Sequence, residues 1–146
     1  MNYQISMSSA EINEADIQAV VDVMRSGRLA LGPQTREFER LVAEYVGVEH
    51  AVAVNSGTSA LHLLVRALGL GHGDEVLVPS FTFASSVNAM LFERATPVFV
   101  DVEPGTYNLD PADVARKITP ATKAIMAVDI FGHPVAWDAL LEIAAA

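Results

Sequence analysis

Two short stretches of this sequence carry the residue patterns best suited to holding a ligand. The first is Asn55-Ser56-Gly57-Thr58-Ser59, set between the run Ala51-Val52-Ala53-Val54 and the leucine-rich pattern Ala60-Leu61-His62-Leu63-Leu64. A polar turn that opens a helix exposes unpaired backbone N–H groups at the positive end of the helix dipole, where an anion is welcome. Gly57 lets a ligand come close to the backbone, and the hydroxyls of Ser56, Thr58 and Ser59 add donors. A phosphate group suits that geometry. No Gly-Lys-Ser or Gly-Lys-Thr follows, and the glycines are not spaced G-x-G-x-x-G, so neither familiar phosphate loop applies. Taken alone, the turn is equally well a capped helix with no ligand, a role worth about 1 kcal/mol.

The second stretch is Pro79-Ser80-Phe81-Thr82-Phe83, which follows the turn Gly71-His72-Gly73-Asp74 and the strand-like run Glu75-Val76-Leu77-Val78. In open α/β sheets, ligands bind beyond the carboxyl ends of the strands. An aromatic there can stack on a planar ring whose phosphate is held at the neighbouring turn. One of the two phenylalanines is expected in the core, and Phe83 is assigned to the ligand. Together the two stretches favour a ring-plus-phosphate cofactor over a lone anion.

The other reactive residue types do not assemble into a site. Four histidines, His50, His62, His72 and His133, lack metal-ligand spacing, so no metal is expected. His62 reads as packed or solvated, and Trp137 as a packing residue. Asp101 and Glu103 read as the approach to the Pro104-Gly105 turn and not as paired catalytic carboxylates. The absence of cysteine excludes disulfides and thiolate chemistry. A net charge of -9 with no basic cluster argues against nucleic acid as a partner. No run reaches the roughly 18 apolar residues of a membrane span, and the first residues lack a secretory pattern, so a cytoplasmic protein is expected.

The elements that must position these residues are legible from periodicity. Helix-starting residues at Ser8 to Glu11 precede Ile17, Val20, Val21 and Met24, and Gly27 ends that helix. After the loop Arg28 to Pro33, Phe38, Leu41, Val42 and Tyr45 repeat the spacing up to Gly47. Strands are then expected at Ala51 to Val54, Glu75 to Pro79, Pro97 to Asp101 and Lys123 to Val128. Helices are expected between them at Ala60 to Leu68, Ser85 to Arg94 and Pro111 to Lys117, with a last one from Ala136. Such alternation predicts an α/β fold of three layers, α/β/α, around a mostly parallel sheet. The 146 residues read as one domain or part of one, and the last helix runs out in Ala144-Ala145-Ala146 without a capping residue, as in a truncated chain.

Six ordered motifs make the sequence recognisable: Asn55-Ser56-Gly57-Thr58-Ser59-Ala60-Leu61, Gly73-Asp74-Glu75-Val76, Pro79-Ser80-Phe81-Thr82-Phe83, Pro97 to Val102, Thr119 to Ile125 and Phe131-Gly132-His133-Pro134. They closely resemble the N-terminal part of the DegT/DnrJ/StrS sugar aminotransferases, which depend on pyridoxal 5'-phosphate. The resemblance implies the large domain of the aspartate-aminotransferase type (fold type I). Residues 1–146 would supply the N-terminal helices and the first part of that domain, with its remainder and a C-terminal domain absent. It places the cofactor phosphate at Gly57, Thr58 and Ser59 and the pyridine ring against Phe83. It also implies a homodimer, a nucleotide-linked keto sugar as substrate and glutamate as the amino donor, in polysaccharide or antibiotic sugar biosynthesis. The loop Arg28 to Pro33 resembles the family segment near the substrate and the partner subunit.

In that family an aspartate holds the pyridine nitrogen and a lysine forms the Schiff base, both beyond residue 146. No catalytic residue is therefore assigned in this chain; Lys117 and Lys123 are read as structural or exposed, and the chain alone is expected to be inactive. Asp129 stands where many relatives have histidine and is read as structural or close to the cofactor. A dehydratase of the same family, with histidine in place of the lysine, and a non-catalytic phosphate-binding or interaction module are the alternatives.

Overall fold

A computed structural model describes residues 9–145, which divide into one unit ending at Ala53 and another beginning at Val54. The first unit contains α1 (Glu14–Arg25) and α2 (Pro33–Val46). Helix α1 begins later than expected, because Asn13 caps it. Its side chain accepts the Ala15 and Asp16 N–H groups while the Asp16 carboxylate accepts the Asn13 N–H. Residues 9–11 precede the helix, and Ser8 lies outside the described residues. In α2, Pro33 occupies the first turn and Gly47 ends the helix at φ 79, a left-handed conformation that glycine adopts without strain.

The second unit is built on a parallel sheet of β1 (Glu75–Pro79), β2 (Thr96–Val100) and β3 (Thr122–Ile125) in the order β2-β1-β3. Helix α3 (Gly57–Ala67) leads into β1, α4 (Ala84–Phe92) connects β1 to β2, α5 (Pro111–Lys117) connects β2 to β3, and α6 (Trp137–Ala145) follows β3. Successive strand residues face opposite sides, so a strand covered on both faces must be apolar throughout. On one face Val76 and Val78 pack with Val65 of α3 and with Ala89 and Met90 of α4. On the other, Leu77 and Val100 pack with Val114 of α5 and Leu140 of α6. The three α/β/α layers are those expected from the alternating pattern.

Two strand expectations need correction. Residues 51–54 enter no ladder among the described residues; the Ala53 N–H donates instead to the Glu39 carboxylate at 2.9 Å. A strand pattern becomes a strand only when another backbone offers donors and acceptors, and none does here. The third strand stops at Ile125 and not at Val128, although the Met126 N–H still donates to the Leu77 carbonyl at 2.8 Å.

Candidate functional site

All three strands run the same way, and chain order then fixes which helix ends share the carboxyl edge of the sheet. Helix α3 descends into the start of β1, and α4 departs from its end, so both present their N-termini at that edge. The helix at the polar turn starts at Gly57, three residues before the expected Ala60. The turn is therefore the first turn of the helix, where N–H groups lack intrahelical partners.

Ser56 is the cap, and its hydroxyl oxygen accepts the Ser59 N–H at 3.1 Å. The Ser56 hydroxyl also donates to the Ser59 oxygen at 3.0 Å, and the Ser59 hydroxyl donates to the Asn55 side-chain oxygen at 2.7 Å. Among the described residues, the N–H groups of Gly57 and Thr58 have no acceptor. A Cβ added at Gly57 would meet nothing within 4 Å, so the space before those donors is open. Two free N–H groups, a neighbouring hydroxyl on Thr58 and the helix dipole can hold a dianionic oxygen cluster. The Ser59 hydroxyl is already committed to Asn55 and is the least available donor of the turn.

Phe83 stands at the N-cap of α4 and is 78% exposed. It presents an open ring face at the carboxyl edge that α3 also reaches. Phe81 differs from the expectation that one of the pair is core, for it is 48% exposed. It stacks at tilted angles on Tyr107 (ring centroids 5.8 Å apart) and Phe131 (6.4 Å). The strand ends before either phenylalanine, so the two-face burial that hides Val76 to Pro79 does not extend to them.

Neither lysine bonds to the polar turn. The Lys117 ammonium donates to the Phe99 carbonyl at 2.7 Å and pairs with Asp113 at 2.9 Å. Lys123 lies at the start of β3, the opposite end of the strand from the cup, with its ammonium 3.5 Å from the Pro120 carbonyl. Asp129, beyond the end of β3, accepts the Val135 N–H at 3.0 Å, a loop-closing role. His62 is neither simply packed nor solvated: its Nε2 lies 2.7 Å from the Glu93 carboxylate and its ring meets Phe92 edge-on. In the first unit, the loop Arg28 to Pro33 lines a groove of about 680 Å³ with Arg36 and Arg40. Arg40 is held there by Glu37 and Glu44.

Asn108 is the functional candidate that the sequence reading missed. It is 2% exposed, accepts the Ile130 N–H at 3.0 Å and donates to the carbonyls of His133 and Pro134 at 2.9 and 3.1 Å. It therefore locks the loop after β2 to the loop after β3. Its only sequence signal was a position before Leu109-Asp110-Pro111, where Asp110 is the actual helix cap.

A covered parallel sheet with an anion-ready helix start and an open aromatic at its carboxyl edge is the large-domain architecture of fold type I pyridoxal-phosphate enzymes. The chain belongs to the DegT/DnrJ/EryC1/StrS aminotransferase family, whose pattern it matches over residues 10–146. It is 43% identical over 142 residues to the GDP-perosamine synthase of Caulobacter vibrioides, covering 97% of this chain and 38% of that protein. It is 47% identical over 126 residues to the dTDP-3-amino-3,4,6-trideoxy-alpha-D-glucose transaminase of Streptomyces venezuelae, covering 86% of this chain and 33% of that protein. The PLP-form structure of Spr1654 from Streptococcus pneumoniae superposes with a TM-score of 0.92 at 39% identity, over 97% of this chain and 36% of that one. The chain thus spans little more than a third of the length of these relatives. Pyridoxal phosphate is the cofactor of the family. Among the described residues, no helix is long and apolar enough to cross a membrane.

Proposed function

We propose that these residues form the phosphate-holding and ring-stacking part of an aminotransferase that moves an amino group from glutamate to the keto group of a nucleotide-linked sugar, acting as a homodimer. The observation that carries this reading is the pairing of the free Gly57 and Thr58 N–H groups with the exposed Phe83 at one sheet edge. When bound, pyridoxal phosphate supplies an electron sink for the substrate carbanion. Gly57 and Thr58 anchor its phosphate, Ser59 adds a hydroxyl once turned from Asn55, and Phe83 covers one ring face. Lys117 and Lys123 are committed elsewhere, so the lysine that holds the cofactor is neither of them, and residues 1–146 alone do not complete turnover. The family dehydratase is the weaker alternative, because the named relatives are aminotransferases and synthases of amino sugars.

The test uses Gly57→Val. A Cβ at this position meets no atom within 4 Å, so the melting temperature should hold. The added side chain occupies the room the phosphate needs, and loss of one or two charge-assisted bonds weakens cofactor binding roughly ten- to a hundredfold. Unchanged affinity in absorbance titrations would refute the cup. The amino-transfer reading requires that the enzyme carrying these residues together with the cofactor-holding lysine convert a nucleotide-linked keto sugar to its amino form with glutamate as donor, and it fails if that enzyme aminates no such sugar.

A further inference from the structure

The carboxyl edge carries a second built feature, on the side of α5 and α6. We propose that Phe81, Tyr107 and Phe131 form a stacking cradle for the flat base of a nucleotide-linked substrate; this rests on the reading that the substrate is a nucleotide-linked sugar.

Topology places the three rings where a ligand is expected. The chain leaves β1 for β2 on one side and later enters β3 on the other, so the crevice of the sheet opens beyond the ends of β1 and β3. Phe81 follows β1, Tyr107 follows β2 and Phe131 follows β3. The sheet order puts Phe81 in the middle, with Tyr107 and Phe131 tilted against it by 50° and 58°.

Conformation shows that the exposure is held in place. Tyr107 and Phe131 are 53% and 89% exposed and sit at φ 59 and 52, a region that disfavours any side chain. They are two of only four described non-glycine residues with positive φ. The buried Asn108 side chain bonds to both flanks of Phe131, and the Tyr107 N–H donates to the Glu103 carbonyl at 2.8 Å, so hydrogen bonds hold the backbone at both strained positions. Strain maintained by surrounding bonds clusters at ligand-binding sites and supports this assignment.

Charge separates the base from the phosphates. Neither loop, 101–109 nor 128–135, contains a lysine or arginine, whereas Glu103 and Asp129 lie beside the rings in sequence. Such a site repels a diphosphate and suits a π-face with N–H groups at its edge. The cofactor cup lies on the α3 and α4 side, so a substrate bridging the two would put its sugar at the cofactor and its base on the cradle.

Calorimetric titration of the full chain with thymidine, uridine and guanosine diphosphates tests the assignment. Phe131→Gly and Tyr107→Gly should weaken the preferred diphosphate roughly five- to a hundredfold, the range of one stacking contact. Glycine adopts positive φ freely, so neither variant should lower the melting temperature, and Phe131→Tyr should restore binding. Pyridoxal-phosphate uptake should be unaffected. Unchanged diphosphate affinity in both glycine variants overturns the cradle, as does a steep fall in melting temperature, which would mean that protein covers the ring. If the wild-type chain binds none of the three diphosphates while still taking up pyridoxal phosphate, the nucleotide reading of the substrate falls and the cradle falls with it.

Discussion

Helices α2 and α3 carry equally clear apolar spacing, yet they end in opposite states. In α3, Val65 is 2% exposed against the sheet. In α2, Phe38, Leu41 and Tyr45 are 59%, 49% and 93% exposed, and Ala43 is the one buried residue described in the whole first unit. Periodicity makes a helix amphipathic, but a core requires a second apolar surface, which the second unit supplies with its sheet. The largest expected consequence is at the centre of that sheet. Leu77→Ala should cost about 2–5 kcal/mol in urea unfolding, because a fully buried leucine leaves a cavity as well as losing its transfer energy. A loss below about 1 kcal/mol would remove β1 from the centre of the core.

The ion pairs of the two units differ in the same way. Arg40 bridges Glu37 and Glu44 on the open face of α2, and its side-chain bond holds Glu37 below the usual carboxylate range. Asp113 of α5 is buried, with only 8% of its side chain exposed, and accepts the Asp101 N–H at 2.7 Å as well as bonds from Lys117 and Arg116. The Asp101 N–H first, then the Lys117 ammonium, lower its pKa from 3.8 to about 2. A carboxyl depressed on folding contributes its full stabilisation above its unfolded value, about 3.9, and loses it as pH falls through the folded value. Wild-type stability should therefore fall between about pH 4 and pH 2, and Asp113→Asn should flatten that slope in urea midpoints. Added salt should weaken the Arg40 network much more than the Asp113 one. An unchanged slope in the variant would leave Asp113 without its assigned role.

This contrast also explains what could be read in advance. The helices and the α/β order were legible because each rests on local spacing and caps. The places of Gly57 at a helix start and of Phe83 just after a strand were legible because a polar helix start and an aromatic after a strand are local signals too. Residues 51–54 were misread because a strand needs a partner that no pattern within those four residues contains. Asn108 was missed because its bonds run 22 to 26 residues along the chain. The conformations of Tyr107 and Phe131 were equally invisible, since aromatic residues give no warning of positive φ.

The smallest expected effect is the one most able to break the comparison. Tyr45 projects from α2 with 93% of its surface open, so its ring gains little from folding within the described residues. Tyr45→Ala removes that ring and raises helix propensity, and surface changes of this kind stay within about 0.5 kcal/mol. Denaturation of the full chain should show that near-zero change beside the large loss at Leu77. A cost above about 2 kcal/mol would instead be the signature of a buried aromatic. The exposed face of α2 would then be a covered surface in the folded protein, and the two units would differ in where their apolar partner comes from and not in whether they have one.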